Sequence, residues 1–446
     1  MENYPQDFQP NPSQGSISKK LMASFSGQIG IFAFGFISQV IIAQGLGAEG
    51  KGLFSLVLLI ISLIYQISHG SLSASNLHFT GRFSSHGPGI LGNSLVIALV
   101  AGGSITWLTF NYADKLIMLI YPNVDIQLVR ITVFALTALY LLEYSNSIVR
   151  GQNRLGRFSF TLAAREFVFS LIVLILFLTN SLSVKHALQS WLTIAILVSV
   201  YAFWSAWSGM KFNLKLDLEL WKRMAKYSAK AHTANLSSFL RMRLDMFLLA
   251  LYLDVKTVGY YSITYALIQF LTYLPKSVGQ VLGPHIAWRK DSAGNTLSPI
   301  LCRISLFISA VAGAGLIAIG YPAIKLIFGE EFIPAYFPLI VTVPGAVVYT
   351  LAISLAGDLS GRGKPQYAMK ISLLMLFVSL AANMSLIPTF GMIGAALASS
   401  ITQAITGVLF FGAFLKESKV PMLSALIIRH EDFILIFGLL KKIRGG

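Results

Sequence analysis

The sequence predicts an all-α polytopic membrane protein of about twelve transmembrane helices, arranged as two homologous six-helix lobes. Three observations predict it. The mean hydropathy is +0.71, with 55% hydrophobic and only 12% charged residues, which is far too apolar for a soluble chain of 446 residues. Apolar segments of about 20 to 28 residues recur from end to end, each long enough to cross a hydrocarbon core of ~30 Å. The Lys and Arg of the short connections fall in alternate links, the pattern that sets the sidedness of a multi-span protein.

In chain order, residues 1–20 form a polar N-terminal tail whose first eighteen residues lack Lys and Arg, unlike the start of a signal peptide. Lys19 and Lys20 then precede an apolar run too long for a signal h-region, so it is read as an uncleaved first span. The twelve segments lie at about 21–44, 53–79, 89–111, 126–149, 157–180, 185–209, 227–253, 258–287, 298–320, 333–357, 366–389 and 391–415. Residues 21–209 make a first lobe and 227–415 a second. Between them, 210–226 is a basic, amphipathic interfacial linker containing Trp221. Residues 416–446 form an amphipathic tail that is too broken by charge to span.

One set of links holds Lys19 and Lys20, Arg82, Arg150, Arg154 and Arg157, Lys211 to Lys226, Arg289 and Lys290, Arg362 and Lys364, and the tail. The opposite set offers only Lys51, Lys115, Lys185, Lys256 and Lys325. Both termini are therefore placed in the cytoplasm.

Net charge is +16, yet the basic residues are dispersed among these links rather than gathered on a soluble module, which argues against a nucleic-acid partner. The single Cys302 allows no internal disulfide and has no thiol partner for a metal; no cofactor is implied. Connections are too short for an external catalytic domain, and Glu330 and Glu331 read as solvated surface, so a membrane glycosyltransferase or polymerase is disfavoured. GRGK at Gly361 lacks the strand and Ser/Thr of a phosphate loop and reads as a turn.

Two halves are legible in register. Leu46 to Ser55 is LGAEGKGLFS and Leu253 to Ser262 is LDVKTVGYYS, which aligns Gly52 with Gly259 at an offset of 207 residues (259 − 52). The same offset takes His69 to Lys276, His78 to His285 and Arg82 to Arg289. Six spans per half return the chain to the same side, so the repeat is parallel.

Charge inside the spans marks the candidate site, because a charge near the bilayer centre costs on the order of 2.5 to 3.5 kcal/mol. Arg241, Arg243 and Asp245 lie midway along the seventh span. Lys276 follows a helix-kinking Pro275 in the eighth. Arg241 and Asp245, four residues apart, share a face and are either a neutralising pair or cavity groups, while Arg243 points elsewhere. Arg165 and Glu166 in the fifth span diverge by about 100° and are expected to meet different partners. Glu143 in the fourth span either pairs with Arg165 or carries a coupling proton.

Three stretches carry a family resemblance: GLGAEGKGLFSL from Gly45; RLDMFLLALYLDVKTVGYYSITYAL from Arg243; and IFGEEFIPA from Ile327 with LSGRGKPQYAMK from Leu359 and SLIPTFGMIGAALASS from Ser385. In order and spacing they resemble the polysaccharide transporter branch of the multidrug/oligosaccharidyl-lipid/polysaccharide exporter superfamily, which includes O-antigen flippases. The resemblance covers nearly the whole chain. It implies two six-helix lobes around a central cavity that alternate between inward-open and outward-open states and move a polyprenyl-pyrophosphate-linked oligosaccharide across the membrane for polysaccharide biosynthesis. It further implies membrane lipids, a coupling ion, H+ or Na+, and polysaccharide polymerase or export machinery as partners.

On this reading Arg243, Lys276, Arg241 and His69 are the substrate-binding candidates, cations set against a pyrophosphate of about two negative charges. Asp245, Glu143, Glu166 and Arg165 are the ion-coupling candidates. The span from Leu21 to Gln44 lacks the arginines that lipid II flippases of the superfamily carry in their first helix. A multidrug/cation antiporter of the same superfamily is the alternative, and the cationic interior suits an anionic lipid better.

Overall fold

Why a chain this apolar resolves into helices follows from the bilayer, where every backbone N–H and C=O must be satisfied within its own segment. The computed structural model describes residues 17–82, 87–117, 121, 124–208, 217–288, 293–362 and 364–432, and all regular structure among them is helical. In order these are α1 (Ile17–Ser68), α2 (Leu72–Arg82), α3 (Gly87–Ile117), α4 (Ile126–Thr132), α5 (Ala135–Gly151), α6 (Leu155–Leu178), α7 (Val184–Trp207), α8 (Leu218–Tyr252) and α9 (Val255–Trp288). They continue as α10 (Ala293–Ile327), a 3₁₀ turn (Glu330–Ala335), α11 (Tyr336–Gly361), α12 (Pro365–Ser418) and α13 (Met422–Leu426).

Two of these are pairs of helical legs. α1 turns at Gly47 (φ 67, ψ −175) and α12 at Gly391 (φ 57, ψ −133), values that an L side chain resists. Past Gly391 the chain doubles back so tightly that a Cβ on Gly394 would run into the carbonyl oxygen of Leu386. Among the described residues eight helices are long and apolar enough to cross a membrane, two of them, Gly30–Ser68 and Gln366–Ser418, holding two legs each; α8 and α9 are not among them, so the count is roughly consistent with the twelve expected.

Two expected spans differ. The second, 53–79, is interrupted: α1 ends at Ser68, Gly70 (φ 61) and Ser71 (φ 49) are left-handed, and α2 begins at Leu72. The fourth, 126–149, is divided by a two-residue turn at Val133–Phe134 into α4 and α5. By contrast α9 runs unbroken through the position 207 residues after His69.

The described chain forms two compact units. The first is Met1–Gly45 with Val57–Leu236, the second Leu46–Leu56 with Ser237–Gly446, so the division falls inside α8, beyond the basic linker. In the first unit α2, α3 and α7 pack on α5, and Tyr140, Tyr144, Ile148 and Met224 are buried in their core. In the second, α11 packs on α9, α10 and α12.

Within the second unit the segment after Gly47 crosses α9 at a contact that only glycine permits. A Cβ on Gly52 would collide with the carbonyl oxygen of Val255, and one on Gly259 with that of Ala48. Ala48 and Val255 are separated by the same 207 residues as the glycines. Glu331, expected as bare surface, caps this crossing: its Oε2 accepts from the Ala48 N–H at 3.1 Å and its Oε1 lies 3.4 Å from Lys256 Nζ. The carboxylate thereby serves one of the unpaired N–H groups that open the second leg of α1.

The tail after α12 is docked. Ala425 is fully buried in a cluster with Cys302, Leu355 and Phe414. Asp432 is held by Arg303 of α10 in a two-pronged pair, Nε to Oδ2 at 2.7 Å and Nη2 to Oδ1 at 2.6 Å, with both side chains buried. Arg303 also donates to the carbonyl of Ser424. The expected N-terminal tail up to Ser16, the link residues Lys211 and Lys215, and the tail beyond Asp432 lie outside the described residues.

Candidate functional site

A polar strip at helical spacing runs down α9: Tyr261, Thr264, Tyr265, Ile268, Gln269 and Thr272 share one face. It faces Arg241 and Asp245 of α8, Thr342 and Tyr349 of α11, and Ser399 and Gln403 of α12 around a recess of about 710 Å3, its open mouth included. All of these residues belong to the second unit.

Asp245 is the best-satisfied group in the recess. Its Oδ2 accepts from Tyr261 OH and from Ser399 Oγ, both at 2.8 Å, and its Oδ1 accepts from the Met246 N–H at 2.8 Å. Tyr261 and Ser399 also meet each other at 3.3 Å. A buried carboxylate with three donors meets the general demand that interior charge be hydrogen-bonded.

Arg241 is held differently. Its Nη2 donates to Tyr349 OH at 3.1 Å and its guanidinium carbon sits 5.4 Å from the centre of the same ring. Its Nε–H, buried, has no acceptor among the described residues. An ion pair between Arg241 and Asp245 was one expected arrangement; the structure does not form it, because Tyr349 claims the arginine and Tyr261 and Ser399 claim the carboxylate.

Arg243 takes a partner other than Tyr349. Its guanidinium lies 4.4 Å from the centre of the Tyr265 ring, within cation–π range, and its charge is the one that bears on Asp245. Arg241 lines the recess directly, whereas Arg243 reaches it only through Tyr265. Lys276 lies on α9, and its side chain is outside the described residues.

The remaining candidates lie in the first unit. His69 was expected as a cavity cation; it is buried at 5% exposure, stacked on Tyr65 at 4.6 Å, with Nδ1 3.1 Å from the Tyr65 carbonyl oxygen. It is not among the residues that line the recess. Arg165 and Glu166 were expected to diverge to separate partners. They pair with each other, Nε and Nη2 both reaching Oε1 at 3.0 and 2.6 Å, since long side chains on adjacent residues bend back across the ~100° between them. Glu143 of α5 sits beside Tyr65 and Ser73, with Arg150 and Arg165 as its neighbouring cations.

Sequence reasoning missed Tyr261, Tyr349 and Ser399, the groups that actually hold the two charges. The α9 strip carried a readable signal, hydroxyls and amides at three- and four-residue spacing through an apolar span.

The recess thus combines a cation with a spare N–H, three aromatic hydroxyl groups and a carboxylate. It suits an anionic or hydroxyl-rich ligand more than a purely apolar one.

Comparison with known proteins agrees with this description. The chain is 23% identical over 294 residues to the "Probable flippase AglR" of Haloferax volcanii, covering 62% of this chain and 59% of that protein. It is 19% identical over 211 residues to the "Probable low-salt glycan biosynthesis flippase Agl15" of the same organism, covering 46% and 45%. The chain therefore spans about half the length of the curated relatives it matches.

Among solved structures, an inward closed conformation of the lipid II flippase MurJ superposes with a TM-score of 0.77 at 15% identity, covering 95% of this chain and 93% of that one. An inward-facing multidrug resistance MATE family transporter of the MOP superfamily gives 0.69 at 15% identity, covering 90% and 98%. These likenesses establish the fold alone, the all-helical architecture that those two proteins share. The sequence profile of one family, described as polysaccharide biosynthesis protein, matches residues 92–336, more than half of the chain. This multi-pass membrane chain belongs to the polysaccharide biosynthesis protein family.

Proposed function

We propose that the protein is a flippase that carries a polyprenyl-pyrophosphate-linked oligosaccharide from the cytoplasmic to the outer leaflet of a bacterial cytoplasmic membrane. The lobes 21–209 and 227–415 alternate access to the substrate, with both termini in the cytoplasm. The observation that carries this reading is Arg241: a guanidinium lining the recess, oriented by a tyrosine rather than neutralised by a carboxylate.

Such a cation is held ready for an anionic head group. Arg241 takes the first place among the substrate cations, with Arg243 steadying Tyr265 and Lys276 as a further cation on α9. The hydroxyls of Tyr261, Tyr349 and Ser399 and the amide of Gln403 provide contacts for sugar. Asp245 is the coupling carboxylate on this reading. The names of the two relatives support it, and chemistry beyond transport is not required.

An exporter of cationic compounds is the second reading, favoured by the buried Asp245 in the same recess. Depletion of the protein separates the two. The flippase reading expects lipid-linked oligosaccharide to accumulate in the inner leaflet, restored by the wild-type chain and not by Arg241→Gln at equal membrane abundance. Unchanged lipid-linked oligosaccharide with a loss of cation efflux would overturn it.

A further inference from the structure

We propose that His69, Ser71 and His232 form a binding site for a single proton at the break between α1 and α2, and that occupancy of this site rearranges the break. All three residues belong to the first unit. The observation behind it is a convergence on one atom. Ser71 Oγ, fully buried, is met by His69 Nε2 at 3.4 Å, His232 Nδ1 at 3.3 Å and Asn235 Nδ2 at 3.1 Å.

Hydrogen-bond capacity fixes the proton positions. The Tyr65 carbonyl can only accept, so the His69 Nδ1 beside it carries a hydrogen, and Nε2 of the neutral ring is bare. Ser71 therefore donates its one hydroxyl hydrogen to that Nε2. Its two lone pairs accept from the Asn235 amide and from His232 Nδ1–H. Donor and acceptor capacities are then filled.

Adding one proton to His69 Nε2 turns that nitrogen into a donor toward Ser71 Oγ. The hydroxyl hydrogen must swing to His232, whose Nδ1 must then be bare, with its hydrogen at Nε2. The charge enters at His69 while His232 changes tautomer, and atoms and charge balance with one proton gained. A second proton has no place: two imidazolium rings and Asn235 would direct three N–H groups at two lone pairs. The rings are also only 5.7 Å apart, where like charges repel.

The site is built into a strained segment. Ser71 is left-handed at φ 49, a conformation unfavourable for a residue with a Cβ, and its three hydrogen bonds hold it there. Redirecting one of those bonds loosens the start of α2, which packs on α5. The titratable groups facing His69 are Tyr65, stacked on it, and Tyr144, whose OH donates to the His69 carbonyl at 2.6 Å. Tyr140 and Glu143 stand behind Tyr65 on α5, and His232 faces from α8. The binding step is independent of the flippase reading; its use to drive transport rests on that reading.

The test is 15N imidazole spectroscopy of the full-length chain, labelled at histidine and held in lipid nanodiscs, from about pH 8 to about pH 4. His69→Gln and His232→Gln assign the two rings, and the exposed His186 serves as reference. The expected result is that one ring of the pair becomes imidazolium and that the His232 tautomer shifts at the same midpoint. In Ser71→Ala the two events separate by at least about one pH unit, a tenfold change. Two imidazolium rings in this range, none, or a His232 tautomer indifferent to His69 would each overturn the proposal. If His69→Gln fails to fold, Ser71→Ala, which keeps both rings, gives the same discrimination. The titration is read without substrate, so it stands or falls separately from lipid-linked oligosaccharide accumulation.

Discussion

Arg241 and Asp245 stand one helical turn apart on α8, and their different partners predict different mutant phenotypes. Replacing Arg241 by Gln strips a cation that no carboxylate depends on, so the melting temperature is expected to change little. Oligosaccharide flipping should fall about ten- to a hundredfold, as for loss of a charged hydrogen bond of ~1.5–3 kcal/mol. Replacing Asp245 by Asn does the reverse to the scaffold. The amide oxygen still accepts from Tyr261 and Ser399, but its NH2 now faces the Met246 N–H, and two opposed donors cost on the order of 1–3 kcal/mol. Thermal unfolding of the two purified variants checks this; equal melting temperatures would refute it. The charges themselves were legible in the sequence because a membrane span tolerates so few of them. Their partners were not, since Tyr261 is 16 residues from Asp245 and Ser399 is 154 residues away, and nothing local to α8 points to either.

At the scale of elements, hydropathy made the spans readable and hid their interruptions. The apolar run through Tyr65 and Leu72 scores as one span, whereas the turn chemistry of Gly70 and Ser71 occupies only two residues. The docking of the tail was illegible for a similar reason: the charge cluster around Arg429 and Asp432 that breaks its apolar pattern is the part that fastens it. Burial raises the Asp432 carboxyl, but the bonds from Arg303 and from the Arg429 N–H outweigh burial and hold it below its ordinary value of 3.8. A depressed carboxylate contributes stability that is present above the unfolded value and lost as pH falls through the folded one. The tail should therefore stay docked at neutral pH and come loose in acid below about 3.8. Amide hydrogen exchange over residues 422–432 reads this directly. Asp432→Asn should show the loosened pattern already at neutral pH, and protection unaltered by that change would refute the role given to Arg303.

For the whole molecule, the 207-residue register was the most informative thing in the sequence, and the crossing of the segment after Gly47 with α9 realises it in space. Each glycine there faces the carbonyl that is the counterpart of the one its own partner faces. Such reciprocity is the geometry of a two-fold contact, in which residue i meets j and j meets i. It has a consequence for how the chain tolerates change. A methyl group at either position has to push the same two backbones apart, and once they are apart the second methyl finds room already made. Gly52→Ala and Gly259→Ala should each lower the melting temperature, while the double variant should be little worse than the more damaging single one. A double variant that loses the full sum would mean that the two positions act independently. The pair is therefore expected to be epistatic: after one glycine is lost, the selective reason to keep the other largely disappears.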